Sequence, residues 1–400
     1  MTSSNSATEQ ELFVNEVPLQ DCSCSTAPFT AQWEQIPSSS TTFSPRGGHT
    51  AIYLSPTSTK FPHSILLFGG ANREGAAFND CHLFDITTKS WKDLNDSIHG
   101  TRPSPRSGHA AVLIDNSMII HGGQRIHFPS QSSNNQIPPS EPTIELLSDT
   151  WKFDFSSLTW QIITTAKSLT RNCGIAGIIN NKICIMGGSD ERGPTNSLYQ
   201  LSQLSNSNNW ELISVIGSDR DPRELHSGCF DLTNNIWLTS GGRSELGILN
   251  SIYSFHINEK RWELLGQAPP RCGHTMEIIN KDFSFIFGGI DGLTFYNDIT
   301  VFSQGKGSIS ACDECHGPRG WHRLNGGPKT ENENNDSNNN NNNAATSNNS
   351  QSSSVLPAHR FAHTLTSLTG SSLSQYVLIG GMNDEADLHD VWTLTIKKRE

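Results

Sequence analysis

Ile65-Leu66-Leu67-Phe68-Gly69-Gly70, an apolar run that ends in two glycines, decides how this chain folds. A strand buried on both faces reads this way, and glycines at its end let the backbone turn tightly or enter positive φ. The pair returns at Gly122-Gly123, Gly187-Gly188, Gly241-Gly242, Gly288-Gly289 and Gly380-Gly381, six copies counting the first. A device repeated in this way marks a repeat architecture, in which each unit buries its faces against the next. Four hundred residues then suit one array closed on itself.

Around each glycine pair the same companions recur. The first unit opens with Pro45-Arg46-Gly47-Gly48-His49 and an alternating strand from Thr50 to Leu54, then runs through the glycines to Asn79-Asp80-Cys81-His82-Leu83-Phe84 and Ser90-Trp91. By period and turn residues this is four short strands, A to D. The second repeats Pro105-Arg106-Ser107-Gly108-His109 and ends at Trp160. The third starts Arg171-Asn172-Cys173-Gly174, without the histidine, and ends at Trp210. Arg223 and His226 with Trp262 define the fourth, and Arg271 and His274 with Trp321 the fifth. The sixth has Arg360, His363 and Val391-Trp392 but no D strand with its own tryptophan. The segment Ala31-Gln32-Trp33-Glu34-Gln35-Ile36 supplies that strand, so the expected fold is an all-β, six-bladed propeller whose last blade is closed by the N-terminal strand around Trp33. Closure of this kind leaves no open edge.

These motifs resemble the kelch repeat over roughly residues 30 to 396, and the resemblance implies a stand-alone kelch β-propeller. The expected organisation is a polar arm over residues 1–28, then one propeller over 29–400 with blades near 45–94, 105–163, 171–213, 222–265, 270–324 and 358–396 plus 31–36. Inserts fall at 124–146 and 303–320, and the asparagine- and serine-rich tract at 325–357 has the composition of a disordered segment.

The balance of 28 basic against 39 acidic residues, net −11, argues against a nucleic-acid or anionic-membrane surface. No apolar run reaches the length of a bilayer span, and Met1-Thr2-Ser3-Ser4-Asn5-Ser6 does not read as a signal peptide. Nine cysteines, most of them single within apolar strands such as Cys81, Cys184 and Cys229, suit reduced thiols in the cytoplasm or nucleus. A monomer is expected.

In a four-stranded antiparallel blade the D-to-A and B-to-C connections emerge at one end. Arg46, Arg106, Arg171, Arg223, Arg271 and Arg360 precede strand A, and Arg73, Arg125, Arg192 and Arg243 follow the glycines, so all lie at one mouth of the ring. Guanidinium forks there suit carboxylates, either acidic side chains or a peptide C-terminus. An arginine repeated in every unit also reads as a structural bond within its blade, so the four that follow the glycines are the stronger candidates for contact. The blade histidines and tryptophans read as packed residues, because one per blade cannot converge on a metal.

Within the second insert, Cys312-Asp313-Glu314-Cys315-His316, with His322 nearby, has the thiolate and imidazole donors of a zinc knuckle, though two free thiols fit as well. No cofactor is expected. Kelch resemblance implies a non-catalytic module that binds a protein partner, as adaptor or effector, with small-GTPase effectors and ubiquitin-ligase substrate receptors among such modules. Only Lys397-Lys398-Arg399-Glu400 follows the array and no BTB segment precedes it. The alternative is a metal-dependent kelch lyase, epimerase or oxidase. The Glu-x-x-x-Asp-x-x-x-His triplet that resemblance to the iron-dependent members would require does not occur.

Overall fold

The computed structural model describes residues 27–37, 43–58, 60–127, 141–204, 207–217, 220–304, 321–325, 356–368 and 374–399. Among them six sheets, each with four antiparallel strands in D-C-B-A order, form the blades, and blade 4 adds a short parallel strand, Ile216–Gly217, at its outer edge. Blade 1 contains Thr50–Leu54, Ser64–Phe68, Cys81–Asp85 and Ser90–Asp93. Its second strand, the run quoted first above, is buried at every position, as expected for a strand covered on both sides by neighbouring sheets. The inner strand of each blade touches that of the next, from Thr50–Leu54 through Ala110–Ile114, Ile175–Ile179, Ser227–Asp231, Thr275–Asn280 and Thr364–Ser367 back to the first. The ring is closed.

Blade 6 is completed as the missing strand predicts. Phe29–Ile36 pairs antiparallel with Asp387–Lys398, placing Trp33 opposite Leu394 and Ile36 opposite Val391. Trp33 lies against Phe287 of blade 5 with ring centroids 5.0 Å apart, and Phe29 against Phe283 at 5.1 Å. The same use of tryptophan recurs elsewhere: Trp160 of blade 2 meets Phe68 of blade 1 at 4.9 Å, and Trp210 of blade 3 meets His121 of blade 2 at 4.7 Å. A large amphipathic ring on the outer strand thus fills the layer between sheets, where aromatic pairs add to simple area burial.

The B-to-C connections rise from the glycine pairs as short ribbons. Gln124–His127 pairs with Thr143–Leu146, Ser189–Asp190 with Gly193–Pro194, and Arg243–Ser244 with Gly247–Ile248. Only glycine serves at the first position of a pair. Gly122 has φ +66°, and a Cβ there would stand 2.1 Å from the Arg171 carbonyl oxygen.

Candidate site at the mouth of the ring

The repeat arginines are the first element of the mouth, and they are clamps. Arg46, Arg106, Arg223, Arg271 and Arg360 are all 0% exposed. Arg106 donates from Nη1 to the Gly122 carbonyl at 3.0 Å and from both Nη atoms to the Asp149 carboxylate at 2.7 and 2.8 Å. Arg46 makes the same fork to Gly69 and Asp80, Arg360 to Gly380 and Asp390, and Arg271 to Gly288 and Asp298. In blades 3 and 4 a serine replaces the aspartate, so Arg171 reaches Ser197 Oγ at 2.7 Å and Arg223 reaches Ser251 Oγ at 2.9 Å. Each clamp but that of blade 3 ties the D-to-A loop to the ends of strands B and C, and in blade 3 Arg171 reaches Asp190 beyond strand B instead of a glycine carbonyl. This corrects the expectation that Arg46, Arg106, Arg223, Arg271 and Arg360 meet a partner: a buried guanidinium already bonded to carboxylate and carbonyl has no face left to offer.

Two residues after each arginine the backbone turns left-handed. Gly48, Gly108, Cys173, Leu225, Gly273 and Ala362 have φ between 52° and 65°. Their peptide groups form one closed circuit: Gly108 N–H donates to Gly48 O, Cys173 to Gly108, Leu225 to Cys173, Gly273 to Leu225, Ala362 to Gly273 and Gly48 to Ala362, at 2.7 to 3.1 Å. Holding cysteine, leucine and alanine left-handed costs roughly 1–2 kcal/mol each, which the circuit offsets. This belt is the floor of the mouth, a cavity of about 140 Å³ also lined by the blade histidines.

Those histidines are packed and neutral. His109 Nε2 bonds Thr50 Oγ1 of the preceding blade at 2.8 Å, His49 bonds Thr364 and His363 bonds Thr275. Burial, then the nearby clamp arginine, lowers His49 and His274 to about 3 and holds His109, His226 and His363 well below 6.5. In the unfolded chain these groups titrate near 6.5. Their folded values are lower, so the stability they allow is complete above about pH 6.5 and is lost as pH falls towards 3, with protons taken up on unfolding. Glu277 has the opposite sign, because desolvation pushes its carboxyl up to about 8. Its contribution is lost as pH rises from about 4.3. We expect the urea midpoint to fall steeply between pH 6.5 and 4, with a slope of several protons. A midpoint that is flat over that window contradicts this account.

Above the belt, the residue after each arginine bridges the residue after each glycine pair: Gly47 with Ala71, Ser107 with Gln124, Asn172 with Ser189, Glu224 with Arg243, Cys272 with Ile290, and Phe361 with Met382. The two halves of this circle differ. Across blades 2 to 4 it is polar and cross-linked, with Asn172 Nδ2 donating to Gln124 Oε1 at 3.0 Å and Ser189 Oγ to Glu224 Oε2 at 2.6 Å. From blade 5 to blade 1 it is apolar. Met382 covers Gly47, Phe361 covers Gly273, and Phe361 meets Phe295 at 5.7 Å.

The four post-glycine arginines stand at the rim. Arg73 ties the loop of blade 1 to that of blade 6 through Asp387 and the Asn383 carbonyl. Arg125 pairs with Glu145 across its own ribbon at 2.6 Å. Arg192, 90% exposed, pairs with Asp190, and Arg243, half exposed, with Glu224. Beside them two loop tips place leucines in solvent, Leu246 at 97% and Leu293 at 94% exposure. Neither the leucines nor the bridging circle figured in the sequence reading, although position relative to arginine and glycine pair marks the circle in every unit. His322 lies buried on the outer strand of blade 5, while Cys312, Cys315 and His316 lie outside the described residues. Among the described residues no three His, Cys, Asp or Glu side chains converge on a metal site, and no helix is long and apolar enough to cross a membrane.

A family model described as the Attractin/LZTR1 beta-propeller matches residues 65–295, more than half of the chain. The chain is 28% identical over 272 residues to the leucine-zipper-like transcriptional regulator 1 homolog of Drosophila melanogaster, covering 64% of this chain and 25% of that protein. It is 26% identical over 258 residues to human Kelch domain-containing protein 1, covering 55% and 59%, and 24% identical over 261 residues to the mouse Rab9 effector protein with kelch motifs, covering 64% and 50%. The aligned stretches thus span from a quarter to about three fifths of these relatives.

Proposed function

Since the chain belongs to the Attractin/LZTR1 β-propeller family, a kelch-type propeller, we propose that it is a non-catalytic interaction module that seats a protein partner on the mouth described above. The observation that carries this reading is the pair Leu246 and Leu293, standing in solvent on the loops of adjacent blades beside Arg243 and the apolar half of the mouth. Loops held by a rigid scaffold are where binding residues concentrate, and large apolar side chains left in water gain most from being covered. Arg73, Arg125, Arg192 and Arg243 serve here as held hydrogen-bond donors. Their charges are matched by neighbouring carboxylates, so an acidic peptide or C-terminus loses the support that free guanidinium forks would have lent it. The naming of the mouse relative as a Rab9 effector favours an effector role over that of a ubiquitin-ligase receptor. A cytoplasmic or nuclear site of action accords with the five described cysteines, all free thiols and four of them buried.

Affinity purification of the intact chain tests the face. A partner recovered with the wild type should be lost with Leu246→Ser and with Leu293→Ser, both solvent-exposed positions, while both variants keep the wild-type urea midpoint. Retention by both folded variants removes the mouth from consideration.

A further inference from the structure

We propose that the apolar sector of this mouth takes a partner segment in which a large apolar side chain is flanked by lysines or arginines. The inference rests on the reading of the mouth as the docking face and names the chemistry of what docks there.

The apolar sector comes first. Leu246 and Leu293 crown the loops of blades 4 and 5, and these loops approach each other closely, since a Cβ on Gly292 would lie 3.9 Å from Ile248 Cγ1. Below them Ile290, Phe361 and Met382, all half-buried, continue the apolar surface inward to Ala71 and Gly47. The fold does not require leucine at these tips: the corresponding position is Glu74 in blade 1 and Arg192 in blade 3. Two leucines on neighbouring loop tips are therefore particular to blades 4 and 5.

Charge then selects the occupant. Arg73, Arg192 and Arg243 are each answered within the protein, by Asp387, Asp190 and Glu224. The exposed carboxylates Glu74 and Glu191, and Glu245 immediately before Leu246, have no basic partner among the described ion pairs. Asp291, two residues before Leu293, accepts from the Leu293 and Thr294 N–H groups and from Tyr296 Oη, and is likewise without a cation. The charge left over around the leucines is negative. A cationic flank is attracted and an acidic one repelled, and the effect weakens with salt.

A displayed library of random dodecapeptides, panned on the immobilised full chain, provides the test. The expected pool carries leucine, phenylalanine or methionine between lysines or arginines. A peptide made from it should bind at least tenfold more weakly to Leu246→Ser/Leu293→Ser, and more weakly at 500 mM than at 50 mM salt. Glu191→Lys/Glu245→Lys should shift selection towards aspartate and glutamate. An acidic pool, an empty pool, or a basic pool indifferent to the leucine variant overturns the inference. The two readings fail separately. Peptides displaced by Arg243→Glu but acidic would sink only the charge assignment, whereas peptides insensitive to every mouth variant would sink the docking face itself.

Discussion

A chain that lacks residues 1–36 will not hold its ring. Without Phe29–Ile36 the strand Asp387–Lys398 loses its outer partner along eight residues, and the layer between blades 5 and 6 loses Phe29, Trp33 and Ala27 from its core. An unpaired edge of that length is a template for other chains, so the truncated protein is expected to elute as aggregates rather than as a single species. The milder change Trp33→Ala should keep the topology and cost about 3–5 kcal/mol, as large-to-small changes in aromatic cores do. Urea unfolding of this variant measures the loss. A truncated chain that runs as a single species with the wild-type midpoint would show that the ring closes by other means.

Arg271→Ala should be nearly as damaging, although it removes a charge that the sequence reading assigned to partner binding. Asp298 is wholly buried, and burial alone would raise its pKa. Arg271 and Arg323 outweigh that and hold it below the usual carboxylate range. Removing Arg271 leaves a buried carboxylate with only Arg323, 3.4 Å away, and the Thr300 hydroxyl. Breaking a buried pair from one side costs about 3–5 kcal/mol, and the surviving contacts place this case near the lower figure. Arg271→Leu combined with Asp298→Leu should recover part of the loss, because the buried carboxylate then goes with the guanidinium that answered it, although the buried Arg323 beside it keeps its charge. Arg192→Ala, which removes a guanidinium that is 90% exposed and leaves Asp190 its bond to Arg171, should leave the urea midpoint where it was. Equal midpoints for Arg271→Ala and wild type would refute the clamp.

The contrast between these two arginines shows what could be read in advance. Glycine pairs, tryptophans and the missing outer strand of the sixth unit are signals of spacing, and spacing survives in a linear text. Whether a guanidinium is spent inside the protein depends on a partner about 30 or more residues away, as with Arg46 and Asp80 or Arg106 and Asp149. That pairing does leave a trace. Aspartate opens strand C in units 1, 2, 5 and 6, whereas Ser197 and Ser251 stand there in units 3 and 4, and the clamps of those two blades turn to hydroxyls accordingly. Leu246 and Leu293 left no such trace, since an exposed leucine in a loop has no period.

The belt of six left-handed residues has a consequence for how this protein can acquire specificity. Every amide hydrogen in that circuit is already answered by a neighbouring carbonyl, so the throat offers a visitor nothing of its own backbone. Recognition has to be written in the side chains of the surrounding loops. Each loop can be rewritten alone, like one key on a ring, while the barrel it opens on stays unchanged.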